Sequence, residues 1–351
     1  MRYLIAIFAE LLISATLHAG FYQNWDSKYL LVNRWAYPEA RLTGYLFDAF
    51  IDPKNNTLIM MLFRDGIKLI SKDGISDLAK IGQGPGEIAR WSAISLEGDH
   101  LIIFEATGKI IYYRRNISSF TYEKTNWLRW GTEFPVIRGA VKLNNKYYIT
   151  GFSLKSEPST TNSEAFFLTI FNDNGLLIKQ LIWKNFKGFW RGPPLLTSHI
   201  QQHGSEVWVI LESEPTLYII DTREDKVKRE VNLETPVGFK PIGDYMPVDK
   251  YTISTLQKKY EEWVLSYSRI ERFIITDNYL ILQARTCNNS GPKYFVMLYD
   301  VETFALKETY LTDHLLLAEN DGHYYFLANG DPGLDENACS VDIRIYKGRG
   351  K

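Results

Sequence analysis

The chain has 351 residues, 45% of them hydrophobic and 23% charged, the balance of a globular protein with a substantial core rather than of a disordered one. Its net charge is −1 at neutral pH, so no basic field is present to hold a nucleic acid. Two cysteines without a CxxC pair exclude a cysteine-built zinc or iron–sulfur centre, and the 22 Tyr and 9 Trp lean toward the pleated, half-buried surfaces of sheets.

Residues 1–19 read as a secretory signal: one Arg, an apolar run from Tyr3 to Leu17, and small residues at a cleavage point after Ala19. The run is shorter than the roughly 20 apolar residues that span a bilayer, and Glu10 interrupts it, so no transmembrane span is expected in the mature chain. Residues 20–351 are then one exported domain, periplasmic or extracellular. "YLLVNRW", Tyr29 to Trp35, follows as a strand that belongs to no repeating unit.

From Asn55 onward one pattern returns six times: a turn of Asn, Asp or Gly, a β-rich run, a variable gap, and a second β-rich run. The copies begin at Asn55, Gly98, Asn144, Gly204, Thr276 and Asn320, spaced by 43, 46, 60, 72 and 44 residues. Three of these spacings match one four-stranded propeller blade, about 40–50 residues. A single such sheet has too little core, whereas six arranged radially bury one another's faces. The expected fold is therefore an all-β, six-bladed propeller, with Tyr29–Trp35 completing the last blade, where only three strands are evident. Closing the ring in this way hides its edges.

Between the first and second units lies "GQGPGE", Gly82 to Glu87. A phosphate-binding P-loop needs a Lys and a hydroxyl after its last glycine, and here Glu87 and Ile88 follow Gly86. The dinucleotide fingerprint fails as well, because the third glycine comes one residue early and Pro85 interrupts the backbone donors. A stiff turn remains. In the third unit "SLKSEPSTTNSEA" is an inserted polar loop. Next comes "NFKGFWRG", whose Phe186, Phe189, Trp190 and Arg191 form either an exposed contact for a protein or carbohydrate ligand or a buried plug. "HIQQH" places His199 and His203 four residues apart; on a strand that separation is about 13 Å, too far to share one metal.

The long fourth gap, residues 241–270, is expected to hold a helical insertion between blades 4 and 5. Its Ile253, Leu256, Tyr260, Trp263, Val264 and Tyr267 fall on one helical face. With this insertion, the exported N-terminus and the motif residues Gly82, Gly84, Pro85, Gly86 and Glu87, the chain resembles the six-bladed β-propeller family abundant in Bacteroides and related bacteria, relatives of NHL- and TolB-type propellers. The resemblance implies the fold and says little of activity. Many members carry a lipidated cysteine after the signal, which this chain lacks.

In the last two units Cys287 and Cys339 stand 52 residues apart, about one blade, and are either a disulfide across the seam or two free thiols. "NGDPGLDEN" offers Asp331, Asp335, Glu336 and Asn337 as oxygen donors for calcium without EF-hand spacing, and turn chemistry explains the same residues. Other acidic turns surround Asp52 and Asp221. No G-x-S-x-G elbow occurs. The leading expectation is a binding or scaffold module. The alternative is an NHL-propeller-like lyase or hydrolase with a metal or polar site at the central channel, and a third reading has the 241–270 helix docking a partner. Convergent His, Asp or Arg side chains at the axis would favour the enzyme, a neutral and aromatic axis the binding module, and an exposed apolar helix face the docking role.

Overall fold

A computed structural model describes residues 22–349 apart from 44–45, 83, 85, 89–91, 106, 118, 130–134, 154–162, 188–197, 242–261, 264, 288–292 and 329–338. The described strands form the expected all-β, six-bladed propeller. Blades 1 to 5 are antiparallel four-stranded meanders over residues 46–79, 92–127, 135–187, 198–232 and 270–312. Blade 6 takes Leu315–Asn320, His323–Leu327 and Cys339–Gly348 from the end of the chain and Tyr29–Leu42 from its beginning. The first strands of the blades, Leu46–Asp52, Ser92–Glu97, Pro135–Leu143, Ser198–His203, Ile270–Ile275 and Leu315–Asn320, each touch the first strands of both neighbours. They therefore ring a central channel.

The polar dipeptides that punctuate the sequence are the turns between first and second strands. Asn144 and Asn145 both have positive φ, as do Asp321 and Gly322, the backbone that two-residue hairpins with a matching twist require. The second strands read as unbroken apolar runs because both of their faces are covered. In Thr57–Leu62, Leu58, Met60 and Leu62 pack toward blade 6 while Ile59 and Met61 pack toward blade 2. Among the described residues the core divides into six clusters, one at each seam between neighbouring blades. Stability here is a sum of interfaces between like units.

The ring closes through its N-terminal strand. Tyr29–Leu42 pairs antiparallel with Cys339–Gly348, Trp35 standing opposite Ile343, with register shifts after Leu31 and Tyr37. Pro38 falls in the second irregular stretch, where an edge strand tolerates a missing N–H. Just upstream, Gln23–Asn24 adds in parallel to the outer strand of blade 5, and one helical turn, Trp25–Lys28, leads into blade 6. Trp25 is 1% exposed. It stacks on Tyr29 (3.8 Å between ring centroids) and meets Tyr310 and Tyr324 edge-on. Lys28 pairs with Glu308 of blade 5. The N-terminal segment thus fastens blade 5 to blade 6 as well as completing the latter.

The expected signal segment and most of the expected 241–270 helix lie outside the described residues. At the end of that insertion Glu262, Trp263 and Leu265 are helical, and Trp263 packs against the apolar cluster between blades 3 and 4. Tyr267 is 9% exposed and meets Trp263 edge-on at 5.6 Å. Of the six residues on the expected apolar face, Trp263 and Tyr267 are described and both are covered, while Ile253, Leu256, Tyr260 and Val264 lie outside the described residues. Among the described residues no helix is long and apolar enough to cross a membrane.

Candidate functional site: the central channel

The inner strands leave a cavity of about 400 Å³ around the axis, bordered by blades 1 to 4 and by Phe273 of blade 5. Its wall runs from the level of Asp48, Arg138 and His199 to that of Leu96, Gln202 and Gly204, near the turns that end the first strands. Polar groups gather at the former level. Asp48 comes from the third position of its strand, Arg138 from the fourth, and His199 and Glu271 from the second, so adjacent turns of the ring present them at similar depth.

Asp48 belongs to blade 1, His199 to blade 4 and Arg272 to blade 5, and they face one another across the ring. The Arg272 guanidinium lies 4.0 Å from Asp48 Oδ1, is 4% exposed, and donates through Nε to Leu316 O at 3.0 Å. Although 43% of the Asp48 side chain faces the void, protein surrounds that void. Burial pushes its carboxyl above the usual range, and Arg272 only partly offsets this. His199 shows the converse. Burial, reinforced by Arg272, pushes its imidazole down to about 4, while Asp48 pulls weakly the other way. Neutral at pH 7, it donates from Nε2 to Ile270 O at 3.3 Å, which leaves Nδ1 as the ring's lone-pair nitrogen.

Behind this pair sits a compensated charge network. Burial alone would raise Glu271, but Arg269 and Arg285 override it and hold the carboxyl at about 2. Arg285 Nε donates to Glu271 Oε1 at 3.0 Å, and Arg269 Nη2 reaches both carboxylate oxygens at 2.9 Å. Arg269 also lies 3.7 Å from Glu212, whose other oxygen is 3.6 Å from His199 Nε2. On the seams that flank blade 5, two glutamines act as spare peptide groups. Gln201 Nε2 donates to Phe273 O (2.7 Å) and its Oε1 accepts from Ile275 N–H (3.1 Å). Gln283 does the same one seam later, donating to His314 O and accepting from Leu316 N–H, both at 2.8 Å. Where inner strands pass closest, Gly139 has no room for a side chain, since a Cβ there would stand 2.5 Å from Ile200 Cγ2.

The residues singled out in the sequence are dispersed. His199 borders the channel, whereas His203 packs on Trp208 at 4.7 Å between centroids; they occupy the second and last positions of one strand. In "GQGPGE" the loop folds on its own carboxylate. Gly84 N–H donates to Glu87 Oε2 at 2.6 Å, Gly82 N–H to Ile88 O at 3.0 Å, and a Cβ at Gly82 would collide with Glu87. Gly86 has φ +74°, and its carbonyl accepts from the Tyr113 hydroxyl. Pro85 lies outside the described residues. Phe186 is near the end of the outer strand Leu177–Lys187; Phe189, Trp190 and Arg191 lie outside the described residues, as do Asp331, Asp335, Glu336 and Asn337. Cys287 carries a free thiol 3.4 Å from Ser268 Oγ, and Cys339 opens the third strand of blade 6 opposite Leu42. Asp52 is a fully buried partner of Arg115, and Asp221 caps its own turn through Arg223 N–H at 2.8 Å. Among the described residues no three His, Cys, Asp or Glu side chains gather at one point.

Asp48, Arg138 and Arg272 were not singled out beforehand. Each is one polar residue in a short β-rich stretch, and only the ring brings them together.

No known protein family matches the sequence, and no curated protein matches it. Among solved structures the fold is similar to that of a Bacteroides fragilis protein described as exported (14% identity, TM-score 0.54, covering 93% of this chain and 97% of that one). It is similar also to a Bacteroides vulgatus member of the DUF4221 family (11% identity, TM-score 0.56, covering 92% and 99%). At these identities the likeness is one of fold: a six-bladed propeller shared along nearly the full length.

Proposed function

We propose that the chain is an exported binding protein whose ligand enters the central channel from the side of the first hairpin turns and rests against Asp48, Arg138 and His199. The observation that carries this reading is the convergence of those three side chains, from three different blades, on one cavity of about 400 Å³. That volume lies in the range of small-molecule sites, roughly 300–1,000 Å³, and polar groups placed on the wall are what orient a ligand in such sites. The signal-like sequence of residues 1–19 and the fold relative described as exported support the location. Soaking crystals with a panel of small polar compounds tests the reading. Density against Asp48, Arg138 or His199 is the expected result, and density confined to the outer faces of the blades would overturn it.

A second reading, a lyase- or hydrolase-type enzyme, draws on one specific observation. A neutral imidazole and a carboxyl held above its usual range border the same cavity, the pattern of a base and an acid set apart by their surroundings. It requires that a compound bound in the channel be turned over, and that His199→Gln abolish turnover while leaving binding measurable.

A further inference from the structure

We propose that the outer edge of blade 6 is a docking surface for an anionic lipid bilayer. Leu30, Leu31 and Val32 enter the interface, and the basic side chains around them meet the lipid phosphates. The surface is independent of the channel and of its ligand.

The apolar part comes from an irregularity in the outer strand. Successive side chains of a regular strand point to opposite faces. In Tyr29–Leu42, Tyr29 fills the seam with blade 5 and Trp35 the seam with blade 1. Between them the register steps from Leu31, opposite Tyr346, to Asn33, opposite Ile345, so Val32 is an extra residue. Leu30, Leu31 and Val32 stay outside both seams, each between 44% and 53% exposed. A bulge on the last strand of a sheet works against the addition of another strand, so a neighbouring strand is not the cover this triplet calls for.

Charge identifies the cover. Lys28 and Arg34 flank the triplet in the chain, Lys347 stands opposite Leu30, and Arg349 donates its N–H to Lys28 O at 3.3 Å. Lys28 is paired with Glu308, and Arg34 reaches Asp342 at 2.6 Å, with Arg344 3.9 Å from the same carboxylate. Lys347 and Arg349 are exposed, and the Arg349 guanidinium donates to a backbone oxygen, Asp26 O, at 3.3 Å. Lys28, Arg34, Arg344, Lys347 and Arg349 against Asp26, Glu308 and Asp342 makes five cations to three carboxylates, a surplus of two positive charges. Of the three carboxylates, Asp342 is buried beneath the surface. Glu39 and Arg41 farther along the strand cancel, and Glu319 and Asp321 belong to the innermost hairpin of the blade.

An apolar triplet framed by surplus positive charge is the make-up of a surface that lies on anionic lipid, where apolar burial and electrostatic attraction add. The outer strand keeps unpaired backbone groups along its edge, so the depth reached is the wet headgroup layer and not the hydrocarbon. A second copy of this chain is the poorer occupant, because two such edges would bring their surplus cations together.

Co-sedimentation with vesicles of phosphatidylcholine, alone or mixed equally with phosphatidylglycerol, tests the proposal. It uses the expected mature chain, residues 20–351, because the apolar run from Tyr3 to Leu17 would bind lipid by itself. The expected result is binding to the anionic vesicles only, weakened by salt. Lys347→Gln with Arg349→Gln should weaken it about thirtyfold, roughly fivefold for each charge. Leu30→Ser with Leu31→Ser should weaken it about tenfold or more. Melting curves check that the serine variant folds, and the charge variant, altered only at exposed side chains, decides if it does not. Absence of binding, equal binding to both vesicles, or binding unchanged in the charge variant overturns the proposal. So does binding lost instead with Leu177→Ser, a change in the exposed apolar stretch of blade 3. A dimer formed without lipid and dissociated by either blade 6 variant assigns the edge to a second copy and overturns the proposal as well.

Discussion

The seam between blades 5 and 6 and the polar level of the channel are both buried, and they are built on opposite principles. At the seam, Trp25, Tyr29, Tyr310, Tyr324, Phe326 and Tyr346 fill the space with rings, so burial and stabilisation go together. At the channel, burial pushes the Asp48 carboxyl up and the His199 imidazole down, disfavouring the charged form of each, and their order comes from the ring around them. Groups kept where the fold would be as stable or more stable without them are those that function retains. The two regions should therefore answer mutation with opposite signs.

The largest effect is expected from the seam. Deleting residues 22–42 removes the fourth strand of blade 6 and the Trp25 plug together, and the cooperative thermal transition should be lost. Trp25→Ala alone should cost about 4 kcal/mol in a denaturant melt, the usual penalty for emptying a fully buried aromatic site.

Next comes the network behind the channel. Glu271 is held at about 2 against 4.5 in the unfolded chain, so its stabilisation is complete above pH 4.5 and is lost as pH falls toward 2. It amounts to about 3 kcal/mol. Glu271→Gln should cost a similar amount at pH 7 and flatten the melting temperature over that acidic window. His199 acts in an adjoining window. Its imidazole sits at about 4 against 6.5 unfolded, so stability is full above pH 6.5 and declines as pH falls toward 4, again by about 3 kcal/mol. His199→Gln should remove that slope and leave the one below pH 4.5 in place. Persistence of the slope in the variant would show that the imidazole is charged in the fold.

A smaller loss is expected at Gln201. Changing it to Met leaves Phe273 O and Ile275 N–H without their partner, at about 2 kcal/mol. The smallest is the sharpest for the comparison. Asp48→Asn should leave the melting temperature at pH 7 unchanged or slightly raised, because the ionised carboxylate is the form that burial disfavours. A fall of the size seen for Trp25→Ala would erase the distinction between the two regions.

How legible each region was follows from the same contrast. The hairpin turns stood out because Asn, Asp and Gly are the residues that accept positive φ, and Asn144–Asn145 needs it twice. Second strands stood out because two covered faces leave no room for polar residues. The closing strand was visible only as a leftover, Tyr29–Trp35, and the structure extends it to Leu42 past Pro38. The channel was the least visible part. Asp48, Arg138 and Arg272 stand roughly 90 and 130 residues apart in the chain, each in a stretch where a single polar residue reads as the solvent side of a strand. His199 drew notice for its spacing to His203, yet its role comes from Ile270 and Arg272 of the next blade.

The pairing of Tyr29–Leu42 with Cys339–Gly348 has a consequence for how the molecule is made. The partners are about 300 residues apart, so the strand that emerges first cannot find its place until nearly the whole chain has been synthesised. Until then its Leu30, Leu31 and Val32, half-exposed even in the finished ring, form an open apolar edge of the kind that recruits wrong partners. Ring closure is thus the step expected to be slowest and most open to misassembly. In refolding, a phase that is missing from a chain lacking residues 22–42 would report it, and a chaperone that shields this one segment would raise the yield more than any change within blades 1 to 5.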